Sequence, residues 1–447
     1  MNLKKSFFVL PLSLSLLIPA AGSVSAHGNE VHTAQSVTVK SPAADLRATL
    51  DSILSEHAYL AIITMQKGAD GAKDFEASAK ALMQNTEDLS NAVASVYGKE
   101  AGMQFKEIWA SHIGYFVDYV KATGAKDEAA KKKALAELDA YRVKQADFLD
   151  QATGGRLKSA QLQEDLNMHV KELLSAFDSY VAGDYSTAYK SVRESIDHMY
   201  HVGKGLSWAI TEQFPDTFSS TKVDTPASDL RENLNHLLSE HAGFAVLAMQ
   251  KGISGAKDFE AAAGALSQNT DDLAKAIGSV YGDEAAAQFK TIWSSHIGYF
   301  VDYVKATAGK DEAAKQKAIG ELDAYRAKQA KFLETATEGR LKASDLEAGL
   351  KVHVDDLLLA FNSYVKGDYN TTYPTVHTAY THMFMVGEGL SGAIVNQFPA
   401  KFQGSMPAAM PKTGLPAPQS NVAAGSLLAL ALTSILAALM VRRSKAN

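Results

Sequence analysis

The chain has 447 residues, of which 46% are apolar and 21% are charged. This composition is typical of a globular protein and excludes a wholly disordered chain. There is no cysteine, which excludes disulfides, thiolate metal sites and cysteine nucleophiles, so any metal would be bound by His, carboxylate, Met or backbone oxygen. The formal net charge is −6 without a basic cluster in the body, which argues against binding of nucleic acid through its phosphates.

The amino terminus has the pattern of a secretory signal peptide. Lys4 and Lys5 precede an apolar stretch that begins at Phe7, and Val24-Ser25-Ala26 offers a cleavage site of small residues. Residues 1–26 are therefore predicted to direct export and to be removed. Residues 27–40 are predicted to form a flexible leader in the mature protein.

The carboxyl terminus has three consecutive parts. Residues 403–421 are rich in proline and polar residues and are expected to form a stalk, residues 422–441 carry no charge, and residues 442–447 are basic. Twenty uncharged residues are long enough to cross a bilayer, and the basic tail should stay in the cytoplasm. A plain membrane anchor at this end is therefore one interpretation, and it places the body of the protein outside the cell.

A short motif in the stalk supports a second interpretation of this end. Met410-Pro411-Lys412-Thr413-Gly414, followed by the apolar segment and the basic tail, resembles the sorting signal of sortase-anchored (LPxTG-type) surface proteins of Gram-positive bacteria. Met410 stands where that family usually has leucine. The resemblance implies that a sortase cleaves after Thr413 and joins it to peptidoglycan, so that the protein is anchored to the cell wall.

The body of the chain consists of two copies of one repeated unit. Residues 46–218 align with residues 230–402 at a constant offset of 184 without a gap, and about six positions in ten are identical. A unit of this length is a domain rather than a short solenoid repeat. We therefore predict repeat 1 at residues 41–214, a polar linker at 215–224 and repeat 2 at 225–402, with the two repeats separate or loosely docked.

Helix is the dominant signal in both repeats. Ser41-Pro42 and Thr225-Pro226 are typical helix starts, and apolar residues then recur with the 3.6-residue period of an amphipathic helix. In repeat 1 the pattern predicts six helices, at about 43–68, 73–97, 99–123, 127–152, 158–182 and 185–213. The predicted fold class is all-α: two tandem, homologous, antiparallel helical bundles of about six helices each.

Histidines are the residues most suggestive of chemistry. Eight of the 13 histidines form four pairs that match across the repeat, and each lies near the middle of its predicted helix and on or beside the apolar stripe. These pairs are His57 and His241, His112 and His296, His169 and His353, and His198 and His382. Four imidazoles that converge at mid-height in a bundle would suit Cu or Zn. A bis-histidine haem would explain only two of the four, so it is disfavoured.

Four further residues near these histidines could support a metal. Glu172 and its counterpart Asp356 each follow a predicted ligand by three positions, and could orient an imidazole or bind directly. His201 follows His198 by three positions, and its counterpart in repeat 2 is Met385, which is also a potential copper ligand. The simpler alternative is that the histidines are ordinary core residues, each satisfied by a hydrogen bond.

The body of the chain also resembles a known group of sequences. Ser55-Glu56-His57-Ala58 and the run from His112 to Tyr119, both repeated in the second half, resemble secreted Gram-positive proteins with tandem helical repeats that are often labelled copper amine oxidase-like. The label implies copper at most, because a helical chain has no room for the β-rich catalytic domain of the amine oxidases.

Three functional hypotheses follow from the sequence. The first is a cell-wall-anchored protein that binds a transition metal outside the cell, for capture or buffering, without catalysis. The second is a structural or adhesive surface protein whose histidines are core residues and whose extracellular partner is unknown. The third is a metal-dependent redox protein. The sequence contains no catalytic motif in a credible context, and an enzyme is not expected.

Overall fold

The computed structural model describes residues 37–403 of the chain, which form twelve α-helices and one short 3-10 helix without a strand. The predicted all-α fold class is confirmed. Repeat 1 contains α1 Pro42–Asp70, α2 Phe75–Tyr97, α3 Lys99–Ala125, α4 Glu128–Ala152, α5 Ser159–Ala182 and α6 Tyr185–Gln213. Repeat 2 contains α7 Pro226–Ser254, α8 Phe259–Tyr281, α9 Asp283–Gly309, α10 Glu312–Ala336, α11 Ala343–Lys366 and α12 Tyr369–Gln397, and the 3-10 helix spans Pro399–Phe402.

Several predicted segments lie outside the described residues. They are the signal peptide, most of the leader, the stalk beyond residue 403, the sorting motif at 410–414, the apolar segment at 422–441 and the basic tail. Within residues 37–403, no helix combines the length and the apolar character needed to cross a bilayer.

The helix boundaries follow local signals in the sequence. The hydroxyl of Ser41 accepts a hydrogen bond from the backbone N–H of Ala44, and Pro42 occupies the first turn of α1. Gly71 ends the same helix with a φ of 58°, a left-handed conformation that glycine adopts without steric cost. At the start of α7, the side chains of Thr225 and Ser228 cap each other's backbone N–H groups.

Each repeat is a bundle with its first helix in the most central position. Short connections make successive helices antiparallel, and α6 returns to pack on α1. Within repeat 1, α1 contacts α2, α3, α5 and α6, and α7 has the corresponding position in repeat 2. Because directions alternate along the chain, α1, α3 and α5 run the same way. Residues near the middle of these three helices therefore lie at a common height.

The two repeats are packed against each other, and the expectation that they are separate or loosely docked is wrong. Residues of both repeats belong to one compact unit, in which α1, α2 and α6 of repeat 1 contact α7, α8 and α12 of repeat 2. The physical reason lies in α1 and α7, whose buried residues cover almost every face of the helix. A helix whose side chains are buried on nearly every side, charged ones such as Arg47 and Glu56 included, must be surrounded by other elements.

Contacts between the repeats follow an approximate two-fold symmetry. Arg47 of repeat 1 lies 2.5 Å from a carboxylate oxygen of Asp229, and the equivalent Arg231 of repeat 2 lies 2.6 Å from Asp45. Further along the same two helices, the hydroxyl of Tyr59 donates a 3.0 Å hydrogen bond to the backbone carbonyl at its own equivalent position, Gly243. The two central helices therefore contact each other near their starts and near their middles.

Candidate metal centres

Three buried histidines come together in each repeat. In repeat 1, one ring nitrogen from each of His57, His112 and His169 lies within 4.8 Å of the others. His241, His296 and His353 form the equivalent group in repeat 2. All six rings are at most 1% exposed to solvent. We call these groups triad 1 and triad 2.

The fold explains why these three histidines meet. His57 is on α1, His112 is on α3 and His169 is on α5, which are the three helices that run in the same direction. Each histidine lies near the middle of its helix and on the face that packs inward. A ring from each of the three helices therefore projects into the centre of the bundle at the same level.

One distance within each triad fits two ligands of a single metal ion, and the third histidine has a ring nitrogen within 4.8 Å of both. Nε2 of His57 and Nε2 of His112 are 3.2 Å apart, and the equivalent pair in repeat 2, His241 and His296, has the same separation. Two nitrogens bound at about 2.0–2.1 Å to a tetrahedral zinc ion would be separated by about 3.3 Å. The same short distance leaves no space for a porphyrin between these rings, so a haem bound by this pair is excluded.

A backbone hydrogen bond fixes the protonated nitrogen of the second ligand. Nδ1 of His112 donates to the carbonyl of Trp109 one turn earlier in α3, and Nδ1 of His296 donates to Trp293 in the same way. A neutral imidazole that donates from Nδ1 keeps an unprotonated Nε2. Both rings therefore direct a lone pair at the centre of their triad, as a metal ligand requires.

The other two ligands carry buried nitrogens that the protein leaves unsatisfied. Nδ1 of His57 and both ring nitrogens of His169 have no hydrogen-bond partner among the described residues. The same is true of Nδ1 of His241 and of both nitrogens of His353. A buried polar atom without a partner costs about 1–3 kcal/mol. Buried core histidines are normally satisfied, so this pattern differs from that of ordinary core residues.

Aromatic side chains enclose each triad. The ring of Tyr141 stacks on His112 with a centroid distance of 4.6 Å, and Trp109 lies 4.8 Å from His57. In repeat 2 the corresponding distances, from Tyr325 to His296 and from Trp293 to His241, are 4.5 and 4.7 Å. These rings keep water away from the ligands and lower the local dielectric constant.

Burial keeps the triad imidazoles neutral. It lowers the pKa of His112 to about 4 and that of His296 to about 3, against the opposing effect of the backbone hydrogen bonds. The pKa values of the other four triad histidines are also lowered, first by burial and then by the neighbouring imidazoles; these are His57, His169, His241 and His353. A neutral imidazole is the form that binds a metal.

The fourth predicted ligand of each repeat lies beside its triad and is not part of it. Nδ1 of His198 is 3.6 Å from Oε1 of Glu172, whereas Nε2 of His382 donates a 3.1 Å hydrogen bond to the backbone carbonyl of Gly349. Both residues lie on the last helix of their repeat, which runs opposite to the three ligand-bearing helices, and on the edge of its apolar stripe. The expectation of four converging imidazoles is therefore corrected to three.

The supporting residues predicted from the sequence have different surroundings. Glu172 and Asp356 are near the fourth histidines, and each retains one buried carboxylate oxygen without a hydrogen-bond partner among the described residues. His201 lies on the surface 3.7 Å from Asp197, which raises the pKa of His201. Met385 is 67% exposed. Neither His201 nor Met385 belongs to a triad.

Sequence reasoning missed the tyrosines that stack on the second ligands. Tyr141 and Tyr325 are fully buried on α4 and α10, and their hydroxyl groups have no hydrogen-bond partner among the described residues. Their identity at equivalent positions of the two repeats was the available signal. It was shared with many core residues, so it did not single them out.

Comparison with known proteins gives no assignment: no family model, curated protein or solved structure matches the chain. The chemistry of the site therefore rests on its own geometry. Three neutral imidazoles directed at one point can bind a divalent transition metal, and three ligands leave a coordination position for a further group.

Proposed function

We propose that this protein captures or buffers a transition metal, zinc or copper, outside the cell, with one ion bound by triad 1 and one by triad 2. The observation that carries the proposal is the pair of buried triads with the same ligands, the same 3.2 Å nitrogen separation and the same unsatisfied nitrogens. A metal ion in triad 1 would engage Nε2 of His57, Nε2 of His112 and one of the unpartnered nitrogens of His169, and triad 2 offers the equivalent atoms.

The surroundings of the ligands favour binding over catalysis. The triads are buried, and the residues within each cluster are histidines without a carboxylate. Aromatic rings stack on the ligands where a hydrolytic site would need a general base and access for water. Enclosure by a rigid helical bundle is suited to slow release of an ion, which is the property that capture and buffering require.

Metal analysis of single-triad variants tests this proposal. Purified protein incubated with Zn²⁺ or Cu²⁺ and then freed of loosely bound ions should retain two ions per chain. His112→Ala and His296→Ala should each retain one, and the double variant none. His201→Ala, which removes an exposed histidine, serves as the matched control and should still retain two.

Two outcomes would contradict the proposal. Retention of no metal by the wild-type protein, or the same metal content in the double variant as in wild type, would exclude the triads as binding sites. Thermal unfolding followed by circular dichroism in the presence of a chelator shows whether each variant is folded before its metal content is compared.

We further propose that the protein is exported and joined to the cell wall through Thr413. The support is the signal-peptide pattern of residues 1–26 together with the order of the sorting motif at 410–414, the apolar segment and the basic tail. In a Gram-positive host, Thr413→Ala should move the protein from the wall fraction to the membrane fraction, because a sortase could no longer form the covalent link. A protein that remains in the membrane fraction without this substitution would instead indicate a plain membrane anchor.

A further inference from the structure

Repeat 1 contains a large apolar cavity next to triad 1. Its volume is about 340 Å³, within the range of small-molecule sites, and it lies between the first halves of α1, α3 and α5 and the second halves of α2, α4 and α6. Most of its wall consists of aliphatic and aromatic side chains, among them Leu50, Leu54, Phe105, Leu149 and Leu206. We call this space the repeat 1 cavity.

One side of the cavity is polar. His169, which is only 1% exposed and has two unpartnered ring nitrogens, lines the cavity together with His198. Towards the surface, the lining includes Asp165 and His201 beside Met168, whose side chain is half exposed. The cavity therefore has an apolar interior, a buried donor or acceptor at His169, and a route towards solvent between α5 and α6.

The charges around the cavity restrict the class of molecule that it can accept. The residues that line it include no lysine or arginine, and its one acidic residue, Asp165, lies near the mouth. Inside the cavity, away from His201 at its mouth, an anionic head group would lose its hydration without gaining a counterion, which is unfavourable in an apolar space. A neutral molecule with one hydroxyl or carbonyl group could pair with His169 at no such cost.

We propose that the repeat 1 cavity binds a neutral, largely apolar small molecule whose single polar group pairs with His169. This site does not require a metal, so it goes beyond the proposed metal capture and is tested in metal-free protein. Since His169 also belongs to triad 1, a molecule bound in the cavity would lie beside the metal ligands.

Binding of the neutral fluorescent probe N-phenyl-1-naphthylamine tests the site. The metal-free protein should bind it saturably, with one probe per chain and a blue-shifted emission. Gly205 lines the cavity, and a Cβ atom added there would meet no atom within 4 Å. Gly205→Trp should therefore be tolerated, fill part of the cavity and weaken probe binding at least tenfold.

Repeat 2 provides the matched control. Gly389 is equivalent to Gly205 and also has open space at the position of an added Cβ, so Gly389→Trp should leave probe binding unchanged. Ala92, on another wall of the cavity, provides a second variant, Ala92→Phe, with Ala276→Phe as its control. Absence of saturable binding, or equal losses in the variants of the two repeats, would overturn the assignment to this cavity.

Competition distinguishes the class of ligand. Decan-1-ol should displace the probe at a concentration at least tenfold lower than decanoate at neutral pH, since the two chains differ only in the charge of the head group. Displacement by decanoate at the same or a lower concentration would overturn the proposal of a neutral ligand. His169→Phe, which removes the polar group and keeps an apolar wall, should reduce the advantage of the alcohol over an alkane of equal length.

Discussion

A buried carboxyl pair between the repeats predicts a measurable dependence of stability on pH. Asp51 on α1 is completely buried, and Glu232 on α7 is 2% exposed. Burial, and secondly the charge of Glu232, raises the pKa of Asp51 well above its usual value, although Arg47 acts in the opposite direction. At the equivalent position, repeat 2 has Asn235, which donates a 2.9 Å hydrogen bond to Glu232.

The direction of this pH dependence follows from proton linkage. Because the folded protein holds a proton on Asp51 at pH values where the unfolded chain has released it, this group makes folding less favourable as pH rises above the unfolded pKa. One retained proton corresponds to a slope of about 1.4 kcal/mol per pH unit in the free energy of unfolding. Asp51→Asn imitates the protonated form and leaves Arg47 paired with Asp229. This variant should be more stable than wild type at pH 7, and its free energy of unfolding should lack the part of the pH dependence that comes from Asp51.

Denaturant unfolding at several pH values between 4.5 and 7.5, followed by circular dichroism in the presence of a chelator, measures both quantities. The matched control is Asn235→Asp, which places a third buried carboxyl group beside Asp51 and Glu232. It should lower stability at pH 7 and make the free energy of unfolding fall more steeply as pH rises. If Asp51→Asn lowers stability at pH 7 and leaves the slope unchanged, Asp51 is ionised in the folded protein and the reasoning fails.

Three further predictions concern the metal centres and the core. Free Zn²⁺ at 100 times the dissociation constant of one triad should stabilise the folded state by about 2.7 kcal/mol and should therefore raise the melting temperature. His112→Ala should lose the part of this stabilisation that comes from triad 1. Tyr59→Phe removes the hydrogen bond to the carbonyl of Gly243, which still accepts the helical hydrogen bond within α7, and should lower the free energy of unfolding by about 0.5–1.5 kcal/mol, as measured with urea. Leu173→Ala removes a fully buried side chain and should cost about 2–5 kcal/mol in the same assay.

Local signals in the sequence predicted the helices well. The capping serine and proline at residues 41–42 act within one turn of the chain and placed the start of α1 at about residue 43, against the observed Pro42. The predicted end at about residue 68 is two residues short, because the helix continues to Asp70 and the left-handed Gly71 ends it. The ligands also followed from local reasoning, since mid-helix histidines on inward stripes lie at one height whichever way their helices run. His57, His112 and His169 satisfy this condition.

The error at the fourth ligand has a tertiary cause. His198 also lies near the middle of its helix, but its ring faces Glu172 beside the triad. Helical periodicity predicts only roughly which side of a helix a residue occupies. It cannot decide whether His198 points to the centre of the bundle or to the contact between α5 and α6. The packing of α6 against α5 decides this.

The packing of the two repeats could not be predicted from the sequence for a similar reason. Glu56 next to His57 pairs with His377 of α12 at 2.8 Å, and Glu240 next to His241 pairs with Arg193 of α6 at 2.9 Å. These partners lie in the other repeat, and nothing local marks them as a pair. The available signal was the run from Ala58 to Met65 in α1, eight consecutive residues without a charge, which a helix with one face in solvent would not need.

The two central helices join the metal centres to the interface between the repeats. On α1, His57 faces triad 1, whereas Glu56 and Tyr59 on either side of it contact the other repeat. The interface tolerates differences between the repeats, since Arg193 in one corresponds to His377 in the other. The triads do not differ: their ring-centroid distances are 5.2, 5.9 and 6.2 Å in repeat 1 and 5.2, 5.7 and 6.2 Å in repeat 2. Ordinary core pairs keep their geometry equally well, since the rings of Phe105 and Trp109 are 5.3 Å apart and those of Phe289 and Trp293 are 5.2 Å apart. The triads therefore stand out by their chemistry, which is three buried imidazoles with unpartnered nitrogens in each repeat.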